Sequence, residues 1–170
     1  VAAVRAASAP SASEKWCDVF YAHEQAPLFE LPPAEPATGD QIPALAADRW
    51  LWINLWATWC APCLREMPLL AEWHERLKKE GVSVEVWYLS VDEDPEDWRH
   101  FLERHPQVAG ATSLRLEAIS HLEPWLKKYR IDSPAAIPIH LLVAPGGKVC
   151  CGRVGQLHPA DYPAVKKLLL

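Results

Sequence analysis

Residues 50–57, WLWINLWA, are apolar at every position except Asn54. A strand with one wet face would alternate, so a run apolar on both sides predicts a central strand covered on two faces by helices. Beyond Cys60 the period changes. Cys63, Met67, Leu70, Trp73 or His74, and Leu77 recur at helical spacing with charges between them, until Gly81 closes the pattern. Pro68 falls inside this helix and is expected to kink it, because a mid-helix proline removes a donor and crowds the carbonyl four residues back. Residues 82–91 read as a second strand, and 94–105 (DPEDWRHFLERH) as a helix with Pro95 at its first position. A short strand over 114–119 and a helix over 120–129 follow. A strand over 137–144 is then turned by Pro145-Gly146-Gly147 into a partner over 149–154, and a last helix spans 158–170. Strands alternating with helices, then a hairpin and a terminal helix, predict an α/β architecture with a mixed sheet and helices on both faces.

Upstream of that region the periodicity is lost. Residues 1–14 (VAAVRAASAPSASE) are rich in Ala, Ser and Pro without the apolar core of a signal peptide, and 1–15 read as a flexible linker, processed or trimmed. Prolines at 27, 32, 33, 36 and 43 mark 16–49 as an extended lead-in carrying one edge strand, part of a single domain over 16–170. A chain of 170 residues, 50% hydrophobic and 23% charged, suffices for one such core. The net charge of −5 has no basic run behind it, only isolated lysine doublets, which argues against nucleic acid as a partner. No apolar stretch approaches the roughly 18 to 20 residues of a membrane-spanning helix; an anchor upstream of Val1 stays compatible with the chain.

The chemistry concentrates where the apolar strand ends and the helix begins, at Cys60-Ala61-Pro62-Cys63. Unpaired backbone donors and the helix dipole favour a thiolate there, which makes Cys60 the nucleophile of a redox pair. Cys63, one turn on and on the core stripe, is placed to resolve a mixed disulfide formed at Cys60. The competing readings are a zinc knuckle, which needs a second ligand pair, or a purely structural bridge.

Around this motif, WATWCAPCLREMP resembles the TlpA/ResA branch of thioredoxin-like proteins, whose signature is W-C-x-x-C-x-x-E-x-P; every signature position matches. The resemblance runs over about 50–170, including VDEDPEDW, Ile137-Pro138 and APGGKV, while 1–49 match only loosely. It implies a thioredoxin-like fold, and the 45 residues between Asp92 and Pro138 match the extra strand and helix of this branch. It implies that Glu66 tunes the cysteine pair: a carboxylate near two thiols raises their pKa and, if buried, can take the proton Cys63 must lose. A solvated helix glutamate is the plainer alternative. Thioredoxins proper carry a buried aspartate where this chain has Asn54; asparagine cannot be the base, and it reads better as a hydrogen-bonded core amide. Pro138 resembles the family's cis-proline, leaving the backbone of Ile137 to pair with an extended substrate. Trp59 reads as apolar rim beside the nucleophile, or as core. The candidate substrate-binding residues are thus Trp59, Ala61, Pro62, Ile137 and Pro138, beside the candidate catalytic Cys60, Cys63 and Glu66.

Five cysteines is an odd number. Cys17, Cys150 and Cys151 match no catalytic position. The vicinal pair on a strand should face opposite ways, so a mutual bridge would be strained. The three read either as small residues filling the sheet or as a bridge from Cys17 to one of the pair with one thiol left over. Seven histidines are scattered; His140, two residues past Pro138, is the one placed to face the active-site side of its strand, and the plain reading is a buried or rim histidine without ligand duty.

The resemblance implies an extracytoplasmic, periplasmic reductase of the cytochrome c maturation type. It would act on cysteine-containing protein substrates such as apocytochrome c or copper-site proteins, receive electrons from a membrane donor, and need neither cofactor nor metal beyond its own redox-active disulfide. Ala61 and Pro62 add no positive charge that would over-stabilise a thiolate, which points the same way. The alternatives are a disulfide oxidase or isomerase on the same scaffold, and a non-enzymatic copper chaperone using Cys60, Cys63 and a histidine such as His140.

Overall fold

A computed structural model describes residues 10–39, 41–132 and 136–170. Its seven strands form one sheet: β1 (Val19–Phe20), β2 (Ala34–Pro36), β3 (Trp50–Trp56), β4 (Val84–Ser90), β5 (Thr112–Leu116), β6 (Ile139–Ala144) and β7 (Lys148–Val154), in spatial order β1-β7-β6-β3-β4-β5-β2. The pairs β3–β4 and β4–β5 are parallel and the others antiparallel. Among the described residues five helices accompany them: α1 (Ala61–Lys79), α2 (Pro95–Arg104), α3 (Pro106–Ala109), α4 (Leu122–Lys127) and α5 (Tyr162–Leu168). None of the described helices is long and apolar enough to cross a membrane.

The apolar run of β3 is the sheet's centre. Trp52, Trp56, Ile53 and Leu55 have no exposed surface, and both faces are filled. On the face carrying Trp52, Asn54 and Trp56, Trp52 packs on Trp73 of α1, Trp56 on Phe101 of α2, and Trp73 in turn on Tyr162 of α5. On the opposite face, that of Leu141 and Gly152, the chain just after α4 closes in so tightly that a Cβ on Gly152 would meet Ile131 Cδ1 at 3.1 Å. Truncating one of these buried tryptophans to alanine costs on the order of 3 to 5 kcal/mol, so the core fixes the sheet firmly.

Several elements differ in detail from the sequence reading. The α1 helix runs unbroken through Pro68, which sits on its exposed side. The helix read over 120–129 begins as a 3-10 turn at Ile119–His121 before α4, and the last helix begins as one at Pro159–Asp161 before α5. The lead-in supplies two edge strands rather than one: β1 closes the sheet beside β7, and β2 closes the far edge beside β5. Between them Phe29 is buried against Trp125 and Tyr129, and the Glu30 carbonyl accepts the Trp125 indole N–H at 2.6 Å. Ordered contact starts before Trp16, for Ser13 is buried and Glu14–Trp16 form a 3-10 turn; of the stretch read as linker, 1–9 lie outside the described residues.

The cysteines outside the motif are not all sheet filler, for Cys17 and Cys151 form a disulfide. Cys151 lies opposite Leu142, on the sheet face of His140 and Arg153. Cys150 remains a thiol, the extra residue of a bulge where the register slips between Leu142 and Val143.

Candidate active site

Cys60 is the residue that caps α1. Its backbone is still extended (φ −89°, ψ 96°), and its Sγ accepts the Cys63 N–H at 3.3 Å. A sulfur in that position sits on the free donors and positive end of a 19-residue helix, the arrangement that stabilises a thiolate when the pair is reduced. Cys60 and Cys63 are joined as a disulfide, with 3% and 0% of their surfaces exposed.

The approach to Cys60 is held by Asp92, just past the end of β4. Both carboxylate oxygens accept the Thr58 N–H, at 3.1 and 3.0 Å, while Oδ1 takes the Thr58 hydroxyl at 2.7 Å and Oδ2 the Ser90 hydroxyl at 2.6 Å. Arg115 of β5 donates to the Asp92 carbonyl at 3.0 Å and to Glu35 of β2 at 2.9 Å. The far edge of the sheet is thereby tied to the nucleophile's loop. Sequence reasoning assigned Asp92 no part in the site; its only signal was an acid directly after an apolar strand, with a serine two residues earlier.

Across from the motif, the Ile137–Pro138 peptide is cis, and the Ile137 carbonyl oxygen lies 3.7 Å from Cys60 Sγ. A groove of about 550 Å³ opens there, lined by Trp59, Cys60, Ala61, Pro62 and Ile137 together with Val91, Ile119 and Leu122. Pro138 is buried behind it. The Trp59 ring is a rim feature and not core, being 70% exposed, and Ile119 on the opposite side is 44% exposed. Sequence reasoning named one wall of this groove but missed Ile119 and Leu122, which belong to a helix start more than 55 residues from the motif.

Glu66 is not a solvated helix residue. It is 1% exposed and faces the core one turn beyond Cys63. Its Oε1 accepts from Asn54 Nδ2 at 3.0 Å and lies 3.1 Å from His140 Nε2; its Oε2 accepts the Leu157 N–H at 2.7 Å. Unpartnered, a buried carboxylate would cost several kcal/mol; the Asn54 and Leu157 N–H groups hydrogen-bond this one, and His140 Nε2 stands beside it. Asn54 is the core amide the sequence suggested, fully buried in this cluster. Tyr88, its neighbour on β4, has its hydroxyl pushed up to about 12, first by burial and then by the Glu66 charge. Among the described residues no three His, Cys, Asp or Glu side chains are grouped to hold a metal ion.

Comparison with known proteins places this geometry in context. A family profile described as thioredoxin-like matches residues 48–149. A protein named thiol-disulfide oxidoreductase ResA from Geobacillus kaustophilus is 41% identical over 54 residues, which are 32% of this chain and 30% of that protein. The ResA of Bacillus subtilis is 38% identical over 34 residues, 20% of this chain and 19% of its own. The chain thus spans under a third of the length of the curated relatives it matches. Among solved structures, one described as a thiol-disulfide isomerase from Corynebacterium glutamicum superposes with a TM-score of 0.67 at 18% identity, covering 86% of this chain and 97% of that one. A DsbF homologue from Corynebacterium diphtheriae does so with 0.65 at 19%, covering 89% and 92%. At these identities the likeness is one of fold.

Proposed function

The chain belongs to the thioredoxin-like family, and from that premise we propose that it is a thiol–disulfide oxidoreductase working through Cys60 and Cys63 as a reductase of disulfides in extracytoplasmic partner proteins. The observation that carries the reading is the placement of Cys60 Sγ at the N-terminus of α1, in an apolar groove, with a buried carboxylate one turn beyond its bonded partner.

In the reduced protein the Cys60 thiolate attacks one sulfur of a partner's disulfide. The Cys60–partner S–S bond forms, the partner's own bond breaks, and its second cysteine leaves as a thiolate that takes a proton from water. Cys63 then gives its proton to the Glu66 carboxylate and attacks Cys60. The Cys60–Cys63 bond forms as the Cys60–partner bond breaks and the partner cysteine held in it departs, so the partner gains the two electrons that the pair loses. An extended partner segment would lie along Ile137 with its apolar side chains against Trp59 and Ile119.

The names of the ResA relatives, the absence of positive charge at Ala61 and Pro62, and the carboxylate at Glu66 support the reducing direction. The Cys17–Cys151 bridge supports an oxidising compartment outside the cytoplasm. Substrates of the apocytochrome c or copper-site type, and a membrane donor that re-reduces Cys60–Cys63, complete the reading.

The test is the reduction potential of the Cys60–Cys63 pair, measured in a Cys150→Ser variant by mass-spectrometric counting of the motif peptide. A value near or below roughly −270 mV supports a reductase, and one near roughly −120 mV would replace it with a disulfide-forming oxidase. In parallel, Cys63→Ser should accumulate mixed disulfides at Cys60 with a disulfide-bearing partner, whereas Cys60→Ser should form none.

A further inference from the structure

The proposed reaction leaves one wholly buried titratable side chain beside the site unexplained. His140 of β6 has no exposed surface and lies directly opposite Asn54 in the β3–β6 ladder. Its two ring nitrogens face different neighbours. Nδ1 accepts the Trp52 indole N–H at 3.1 Å, and Nε2 lies 3.1 Å from Glu66 Oε1, with the ring N–H axis off the line joining them. At first sight the second contact is a buried ion pair.

The Trp52 contact argues otherwise. An indole nitrogen can only donate, so the Nδ1 atom facing it must be the unprotonated acceptor, and a neutral ring carries its proton on Nε2. A second proton would set an Nδ1 N–H against the indole N–H in a site with no exposed surface. Asn54 Nδ2, 3.4 Å from the same Nδ1, is a donor too and adds to that opposition. The remaining charged or titratable neighbours do not offset it. Tyr88 on β4 is held neutral, its hydroxyl raised by burial. Arg153 pairs with His140 across β6–β7, but its guanidinium is turned over the Trp16 ring and toward the Trp16 carbonyl and Asp161.

We propose that His140 is a positioning residue for the cysteine pair: fixed by Trp52 with its proton on Nε2, it faces Glu66 as a neutral N–H dipole and not as a counter-ion. The Glu66 negative charge therefore stays uncancelled beside Cys63. It keeps the resolving thiol protonated until attack and leaves an ionised base to receive that proton. The inference rests on the proposed role of the motif as a redox dithiol, and it assigns a part to a residue outside the W-C-x-x-C-x-x-E-x-P signature.

Its test reads the site directly in the reduced protein. Long-range 1H–15N spectra of the imidazoles should show His140 with Nε2 protonated and Nδ1 bare from pH 6 to 8; an Nδ1–H tautomer or an imidazolium overturns the proposal. Alongside, the pH midpoint of Cys60 alkylation is measured by mass spectrometry. Glu66→Gln removes the charge and should lower the midpoint by on the order of one pH unit. His140→Leu, which takes the Nε2 N–H from beside the carboxylate, should lower the midpoint likewise. The double variant should shift it no further, because both changes delete the same charge. His140→Gln keeps a donor and should return the midpoint toward wild type, a rescue that a merely structural role would not produce. Trp52→Phe frees Nδ1, lets the ring become the counter-ion, and should again lower the midpoint. A wild-type midpoint in both His140→Leu and Trp52→Phe, or additivity with Glu66→Gln, overturns the proposal. Should the motif fail to exchange with any protein disulfide, the reductase reading falls while the tautomer and alkylation results stand apart from it.

Discussion

Cys150 and Cys151 are adjacent in the chain, but their surroundings give them opposite chemistry. Cys151 is bonded to Cys17, while the bulge turns Cys150 into a half-buried site where lack of solvation pushes its thiol up to about 12. Only the thiolate reacts with alkylating agents, so at pH 8 the native protein should leave Cys150 unmodified over a time in which a denatured control is fully labelled. Rapid native labelling, read by mass, would contradict that burial. At this scale part of the site was legible. Glu66 was legible through the W-C-x-x-C-x-x-E-x-P resemblance, while the apolar stripe through Cys63, Met67 and Leu70 left it open between core and solvent. His140 was not legible, because residues 137–144 are so apolar that alternation cannot say which neighbours a polar member meets. The Cys17–Cys151 pairing was open in the sequence for a related reason: a bulge moves side chains off strict alternation.

Between elements, two carboxylates act as fasteners. Asp92 accepts from both Thr58 donors and from Ser90, joining the end of β4 to the turn before Cys60. Asp92→Asn keeps the shape but sets an amide donor against donors. It should cost about 1 to 3 kcal/mol in urea unfolding and slow disulfide reduction by loosening the Thr58–Cys60 turn. Glu80, at the C-terminus of α1, binds α5 through Lys166 at 2.9 Å and the Tyr162 hydroxyl at 2.8 Å, and takes Arg76 at 3.1 Å. Those contacts, Lys166 first and Tyr162 next, lower its carboxyl from 4.5 to about 2. A folded-state value below the unfolded one stabilises the protein above about 4.5 and loses that effect as pH falls toward 2. The stability gap between wild type and Glu80→Gln should therefore narrow across this window in pH-dependent thermal melts; a constant gap would refute the linkage. Strand β3 and helix α1 were plain in the sequence because their hydrophobic periods are unambiguous. The starts of α4 and α5 were not, since 3-10 turns leave the same polar signature as a frayed helix end.

For the whole molecule, the lead-in is a clamp. It pairs β1 with β7 at one edge and β2 with β5 at the other, and is bonded to β7 across 134 residues of sequence. A bridge that closes so long a loop should stabilise by about 2 to 4 kcal/mol. The Cys17→Ala/Cys151→Ala protein should lose that much in urea unfolding at pH 7, with Cys60–Cys63 still able to form. An unchanged midpoint would mean that the lead-in is held by packing alone. In residues 16–49 the sequence shows only part of this role, one edge strand and an open choice of bridge from Cys17, because proline-rich segments carry no period and their partners lie roughly a hundred residues downstream. Order of synthesis adds a consequence. A ribosome releases Cys17, Cys60 and Cys63 well before Cys151 exists, so a nascent chain oxidised early has only the motif's own cysteines to offer Cys17. Cys17 then either stays reduced until β7 is complete or is bonded to a motif cysteine by the compartment's oxidant, a bridge that the Cys151 thiolate must later displace.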